Sequence, residues 1–205
     1  MLVSKTTLSY LSDNNLKEHI NYAIENKIIL AIINREFNED ENENRIDDIT
    51  PEEIQAGTQV IKEYCLMNNE LKLLKQYIHL VLSGTELLTE MKALKIIEIN
   101  KAYESAILSV QTEHIPNTEM LSFEIQERES LAYKNSNYQD TSLCPFMVAI
   151  STARGMDLRT LCDKALEKAT LYRQASGMLI GKRQGLQDRV EQVQSLEDLN
   201  LIIWE

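Results

Sequence analysis

Glycine and proline are scarce in this chain, with 6 and 3 residues among 205. Strand-rich folds need many tight turns, and tight turns use these two residue types. Hydrophobic residues make up 43% of the chain, close to the globular norm, so wholesale disorder is also disfavoured. Few and long elements are therefore expected. The composition therefore predicts an all-α fold, namely a helical bundle with a long C-terminal helical hairpin or coiled-coil-like element.

Basic residues are also few, since 21 Lys and Arg stand against 32 Asp and Glu, a net charge of −11 at pH 7. Nucleic-acid binding depends on basic side chains that displace condensed counterions, so nucleic acid and anionic membranes are disfavoured as partners. The imbalance is concentrated in residues 1–90, which hold 8 basic and 16 acidic residues. The acidic run from Glu36 to Asp48 predicts a solvated loop.

Residues that commonly carry chemistry are sparse and scattered. The three cysteines form no CxxC pair, and the three histidines form no HExxH motif and no zinc-like cluster. The acidic run does not fit a calcium loop, because Arg45 stands where glycine is required and Pro51 where glutamate is required. The sequence predicts no catalytic residue, no cofactor and no metal site.

Long apolar runs are missing as well. The most apolar windows are far shorter than the ~20 residues of a membrane-spanning helix, and the first residues lack a signal-peptide pattern. Widely spaced cysteines suit a reducing compartment. We therefore expect a protein that stays in the cytosol or is packed into a particle from there.

Local signals predict the helices and two domains. Thr50 is expected to cap a helix over 51–67, with Pro51 at its first position and Glu53 bonding back to the cap. Apolar periodicity predicts a helix within 14–35 and a long helix over 158–193, capped by Asp157. Further helices are expected near 70–82, 85–111, 123–134 and 145–153, with a break at His114–Asn117. The predicted domains are an acidic N-terminal helical region, 1–85, and a second helical domain, 86–205.

The long helix carries a near-heptad series of apolar or small residues, which predicts a long helical partner. That partner is either the helix over 86–111 or another chain. Arg183 occupies the one skipped place in the series. The predicted helix-packing residues are Ala165, Tyr172, Gly177, Leu179, Gly181, Leu186 and Val190.

Gly177, Gly181 and Gly185 recur every four residues, and each interior glycine costs a helix about 1 kcal/mol. Close approach of a second helix along this bare stripe would offset that cost. The alternative is a bend or break near Gly181. At the chain end, Trp204 and Ile203 are predicted to dock a partner, because tryptophan is enriched among binding hot spots. The alternative is that they fold onto the protein's own core.

Four stretches resemble an uncharacterised helical domain of tailed-phage tail-fibre and tail-assembly proteins. They are Glu98–Ala102 (EINKA), Glu119–Glu127 (EMLSFEIQE), Ala153–Leu158 (ARGMDL) and Ala175–Arg189 (ASGMLIGKRQGLQDR). Gly185 stands where similar proteins often have alanine, and Gln187 where they often have glutamate. The resemblance covers about 92–200. It implies a fibre, baseplate or tail-tip protein as partner and brings no catalytic residues.

The resulting hypothesis is a non-enzymatic bacteriophage tail-fibre accessory protein. It would bind a fibre or baseplate protein as an assembly chaperone or virion adaptor, in the host cytoplasm during assembly and, in the adaptor case, in the virion tail. The first alternative is a homo-oligomeric coiled-coil scaffold, a dimer or trimer, which suits the heptad series equally well. The others are a small acidic phage anti-defence or regulatory protein and an enzyme or metal-dependent regulator.

Overall fold

A computed structural model of the chain describes residues 2–6, 13–32, 50–110 and 121–205. The acidic run from Glu36 to Asp48 and the predicted break at His114–Asn117 lie outside the described residues. Eight α-helices and two short strands lie within them. In chain order they are β1 Leu2–Thr6, α1 Asp13–Glu25, β2 Ile28–Ile32, α2 Pro51–Met67, α3 Leu71–Val81, α4 Gly84–Val110, α5 Phe123–Asn135, α6 Pro145–Arg154, α7 Leu158–Gln192 and α8 Leu196–Asn200. A 3-10 turn, Thr141–Leu143, precedes α6.

The predicted helical architecture is confirmed, including the long C-terminal helix, which runs unbroken over Leu158–Gln192. The caps explain why the helices begin and end where they do. Thr50 accepts the N–H of Glu53, whose carboxylate accepts the N–H of Thr50, so both halves of the predicted capping box are present. Asp157 likewise accepts the N–H of Thr160 at the start of α7, at 2.8 Å.

The prediction of one helix within 14–35 is wrong over Ile28–Ile32, and residues 33–35 lie outside the described ranges. Helix α1 ends at Glu25, Lys27 adopts a left-handed φ of +54°, and Ile28–Ile32 forms a strand that pairs in parallel with β1. Ile29, Leu30 and Ala31 are all buried, so the strand is covered on both faces. Such a strand reads as an unbroken apolar run, which periodicity cannot distinguish from a helix.

The chain divides into two compact units. Unit 1 contains residues 1–97 and 190–202, and unit 2 contains 98–189 and 203–205. The chain passes between the units within α4 and within α7. The predicted domain boundary at 85/86 stays a prediction.

Unit 1 places helices α1, α2 and α3 against strand β2. The closest approach is at Gly57 of α2, where an added Cβ would lie 2.2 Å from the carbonyl oxygen of Leu30. The buried hydroxyl of Tyr77 on α3 accepts the N–H of Leu30 at 2.9 Å. One backbone amide of β2 is thereby satisfied by a side chain instead of by a further strand.

Unit 2 has its own apolar cluster around α5, α6 and the start of α7. Its buried members are Tyr133, Cys144, Met147, Leu161 and Cys162. The carboxylate of Glu129 on α5 accepts the N–H groups of Phe146 and Met147, at 2.8 and 3.1 Å. These are among the amides that the first turn of a helix leaves without an intrahelical partner, so Glu129 fixes the start of α6 against α5.

Candidate interaction surface

We name the side of α7 that carries Arg183 and Gln187 its inner face, and in unit 2 it contacts α4 through polar side chains. The Asn100 side-chain oxygen accepts from the Gln187 amide at 3.0 Å and from the Arg183 guanidinium at 3.4 Å. One turn further along α4, Tyr103 lies under the Arg183 guanidinium, 5.3 Å from the ring centroid. Later residues of α4 thus contact earlier residues of α7. The two helices are antiparallel here, as the predicted hairpin requires.

Arg183 is the residue that interrupts the heptad series, and the structure shows what it contacts. Its Nε is buried and has no hydrogen-bond partner among the described residues. A charged group partly buried without full pairing costs free energy, and the Tyr103 ring recovers part of that cost through a cation–π contact. Asn100, Arg183 and Gln187 therefore form a polar layer between α4 and α7.

Four predicted helix-packing residues are at least half-buried, and a fifth is more exposed. Leu186 and Val190 are buried, while Ala165 and Leu179 are intermediate. Ala165 packs against the apolar cluster of unit 2. Tyr172 is 43% exposed, so the inner face opens to solvent near the middle of α7.

The glycine stripe behaves differently from the prediction within the described chain. Gly177, Gly181 and Gly185 are exposed, and a Cβ added at any of them meets nothing within 4 Å. No described helix therefore packs closely on the stripe. The helix also continues through Gly181, so the alternative of a break at this residue is wrong. At 100° per residue these glycines fall away from the inner face. Packing of the stripe against another chain stays a prediction.

Close packing on a glycine occurs instead at Gly57, which the sequence analysis did not single out. The available signal was an isolated glycine inside the otherwise regular helix pattern of 51–67. What approaches it, strand β2, was itself predicted as helix. The isolated glycine was therefore visible in the sequence, but the strand that packs against it was not predicted.

The two predicted docking residues at the chain end differ in accessibility. Trp204 is half-buried, with its ring edge-on to Tyr103 at 6.4 Å and beneath the Lys182 ammonium at 4.8 Å. Lys182 also donates to the backbone carbonyl of Glu205. These contacts match the alternative in which Trp204 folds onto the protein. Ile203 is 56% exposed. A docking role for either residue stays a prediction.

The exposed large apolar side chains of unit 2 include those of two surfaces. We name the first the α5–α6 patch, which consists of Ile125, Leu143 and Phe146 with exposures of 36, 43 and 37%. Ile125 lies one turn before Glu129, which holds the start of α6. We name the second the outer face of α7, the side opposite the inner face. It consists of Glu167, Leu171, Met178, Gly181, Gly185 and Arg189, all exposed.

The thiols are poor candidates for nucleophiles. Cys65, Cys144 and Cys162 are fully buried, and burial is the main cause that raises the pKa of each thiol, to about 11 for Cys65. The thiolate is the reactive form, so a raised pKa lowers reactivity near neutral pH. In the described ranges, no three His, Cys, Asp or Glu side chains are grouped to hold a metal ion. A membrane-crossing helix is likewise not found among the described residues.

The fold defines an all-α bundle with a long antiparallel helical hairpin. A family model described as the HI1402 helical domain matches residues 167–204, which is less than a fifth of the chain. The matched segment contains the outer face of α7, helix α8 and Trp204. No match is found among curated proteins or among solved structures.

Proposed function

We propose that the chain is a non-enzymatic protein-binding protein whose docking site is the α5–α6 patch. The observation that carries this proposal is the exposure of Phe146, Leu143 and Ile125 around one fixed helix start. Apolar and aromatic side chains on a surface are stabilised by burial against a partner.

Rigidity strengthens the proposal. Binding costs less entropy when the contact groups are already held in place. Glu129 bonds two amides at the start of α6, and the neighbouring Met147 is fully buried in the cluster of unit 2. The backbone that presents Phe146 is thus anchored on both sides.

We further propose that the partner is a phage tail-fibre or baseplate protein, with this chain as assembly chaperone or virion adaptor. The support is the resemblance of Glu119–Glu127 and Ala153–Leu158 to tail-associated helical proteins, and Ile125 of the patch lies in the first of these stretches. The net charge of −11 disfavours acidic competitors such as nucleic acid.

The test is affinity capture of the full chain from phage-infected cells, with mass spectrometry of the captured proteins and of purified virions. Recovery of a fibre or baseplate protein supports the proposal, and recovery of a host nuclease overturns the tail assignment. Phe146→Asp should weaken capture by tenfold or more, about 1.4 kcal/mol, as expected of a hot-spot residue.

The matched control is Leu131→Asp. Leu131 is 48% exposed on α5 and lies about 160° around that helix from Glu129. This variant adds the same charge to the same unit and should leave capture unchanged. Equal loss in both variants would mean that the α5–α6 patch is not the docking site.

A further inference from the structure

We propose that the outer face of α7 is a self-association surface, on which a second copy of this chain packs antiparallel about Met178. The proposal concerns a different surface from the α5–α6 patch and does not depend on the tail partner. It rests on the exposure of large apolar side chains on this face and on the symmetric order of its charges.

The outer face carries two large apolar side chains that are exposed to solvent. Met178 is 77% exposed and Leu171 is 60% exposed, two turns apart on the same side of α7. Beyond them the face becomes bare, because nothing lies within 4 Å of a Cβ added at Gly181 or Gly185. A large side chain from a second helix therefore has room to reach the backbone at these two glycines.

The order of residues makes this face complementary to itself. Leu171 lies seven residues before Met178, and Gly185 lies seven residues after it. In an antiparallel pair centred on Met178, the leucine of each copy faces the glycine of the other, and the two methionines meet at the centre. Large side chains are thus matched with small ones, which is the condition for close packing.

Charge decides the direction of the pair. Glu167 lies eleven residues before Met178 and Arg189 lies eleven residues after it, about three helical turns or 16 Å on either side. An antiparallel pair brings each Glu167 to the Arg189 of the other copy, twice by symmetry. A parallel pair would place Glu167 on Glu167 and Arg189 on Arg189, which costs free energy. A second copy with the opposite direction is therefore the occupant that the face fits.

The first test is sedimentation of the full chain at concentrations up to about 100 µM, since one helix pair should give micromolar affinity. We expect a monomer–dimer equilibrium.

Met178→Asp should weaken dimerisation by about tenfold or more, because the substitution places two carboxylates together at the centre of the pair. Met178 is largely exposed, so the melting temperature should hardly change. Gln184→Asp is the control, because Gln184 is exposed on α7 about 120° from Met178. A chain that stays monomeric at all concentrations overturns the proposal.

The second test uses charge reversal. Glu167→Arg and Arg189→Glu should each weaken dimerisation about tenfold, because each brings like charges together twice. The combined variant restores opposite charges and should recover the affinity of the unaltered chain. Failure of the combined variant to recover would overturn the pairing of these two residues.

The third test is disulfide crosslinking under mild oxidation, which is possible because the natural thiols are buried. Met178→Cys should form a covalent dimer, and Gln184→Cys should not. Glu167→Cys should link only to Arg189→Cys when the two variants are mixed. Self-linking of Glu167→Cys would indicate a parallel pair and overturn the proposal.

Discussion

The hydroxyl of Tyr77 on α3 lies 2.9 Å from the backbone nitrogen of Leu30 and accepts its hydrogen bond, although the two residues are 47 positions apart. Strand β2 pairs with β1 along one edge. On its other edge, this buried N–H depends on a side chain. An unpaired strand edge inside a core leaves polar groups unsatisfied, so Tyr77 contributes both apolar packing and the missing acceptor.

Tyr77→Phe should therefore destabilise the protein by about 1–3 kcal/mol, because it leaves the buried N–H of Leu30 unpaired while it keeps the ring. The measurement is urea unfolding followed by circular dichroism. Tyr22→Phe is the matched control, since Tyr22 is 60% exposed, and it should stay within about 0.5 kcal/mol. Equal effects of the two substitutions would show that the Tyr77 hydroxyl contributes nothing.

Burial also raises the pKa of Tyr77, from 10.0 to about 12, which predicts a loss of stability at high pH. Below pH 10 the phenol is protonated in both states. Between pH 10 and 12 the unfolded chain loses this proton and the folded chain keeps it, so unfolding becomes more favourable as pH rises. The loss should total about 3 kcal/mol, from two pKa units at about 1.4 kcal/mol each, and be absent in Tyr77→Phe. Burial also raises the pKa of Cys65 from 9.0 to about 11. A second loss of stability, beginning near pH 9, should therefore remain in Tyr77→Phe.

Glycine substitutions should have opposite effects at two positions. Gly57→Ala places a Cβ 2.2 Å from the Leu30 carbonyl oxygen, so α2 or β2 must shift, and we expect a loss of about 1–3 kcal/mol. Gly177→Ala meets open space inside α7 and should stabilise by about 0.5–1 kcal/mol. Thermal unfolding of both variants measures the difference. A gain at position 57 would contradict the close approach of α2 to β2.

These cases show why some features were predictable and others were not. The start of α2 depends on Thr50, Pro51 and Glu53 alone, and the extent of α7 depends on its own periodicity, so local signals sufficed. Strand β2 was missed because its identity depends on β1, which lies over 20 residues earlier in the chain. The close approach of β2 to Gly57 was missed for the same reason.

The same distinction between local signals and contacts with distant residues applies to the candidate surfaces. The heptad series correctly marked Leu186 and Val190 as buried positions of α7. It did not reveal that Asn100, 83 positions from Arg183, supplies the polar contact across the interface. The α5–α6 patch was also missed, because exposure of Phe146 follows from the packing of α6 on α5 and leaves no periodic signal.

Thiol reactivity offers a separate check on the cores of the two units. All three thiols are buried and have a raised pKa, so a thiol reagent at pH 7 should label the native protein very slowly. In denaturant, three thiols per chain should react at once. The readout is absorbance of the released reporter with and without denaturant. Rapid labelling of a native thiol, located by peptide mapping, would contradict the burial of that cysteine.

The polar layer between α4 and α7 yields the last prediction, a double-mutant cycle on Asn100 and Arg183. Asn100→Leu alone removes the acceptor of Gln187 and Arg183 and should destabilise by about 1–2 kcal/mol. Arg183→Leu alone restores the apolar repeat and removes a buried, unpaired Nε, so its effect should be near zero or stabilising. Because the two side chains are in contact, the free-energy cost of Asn100→Leu should shrink in the Arg183→Leu background by about 0.5 kcal/mol or more. Purely additive effects in urea unfolding would mean that the two side chains do not interact across the hairpin.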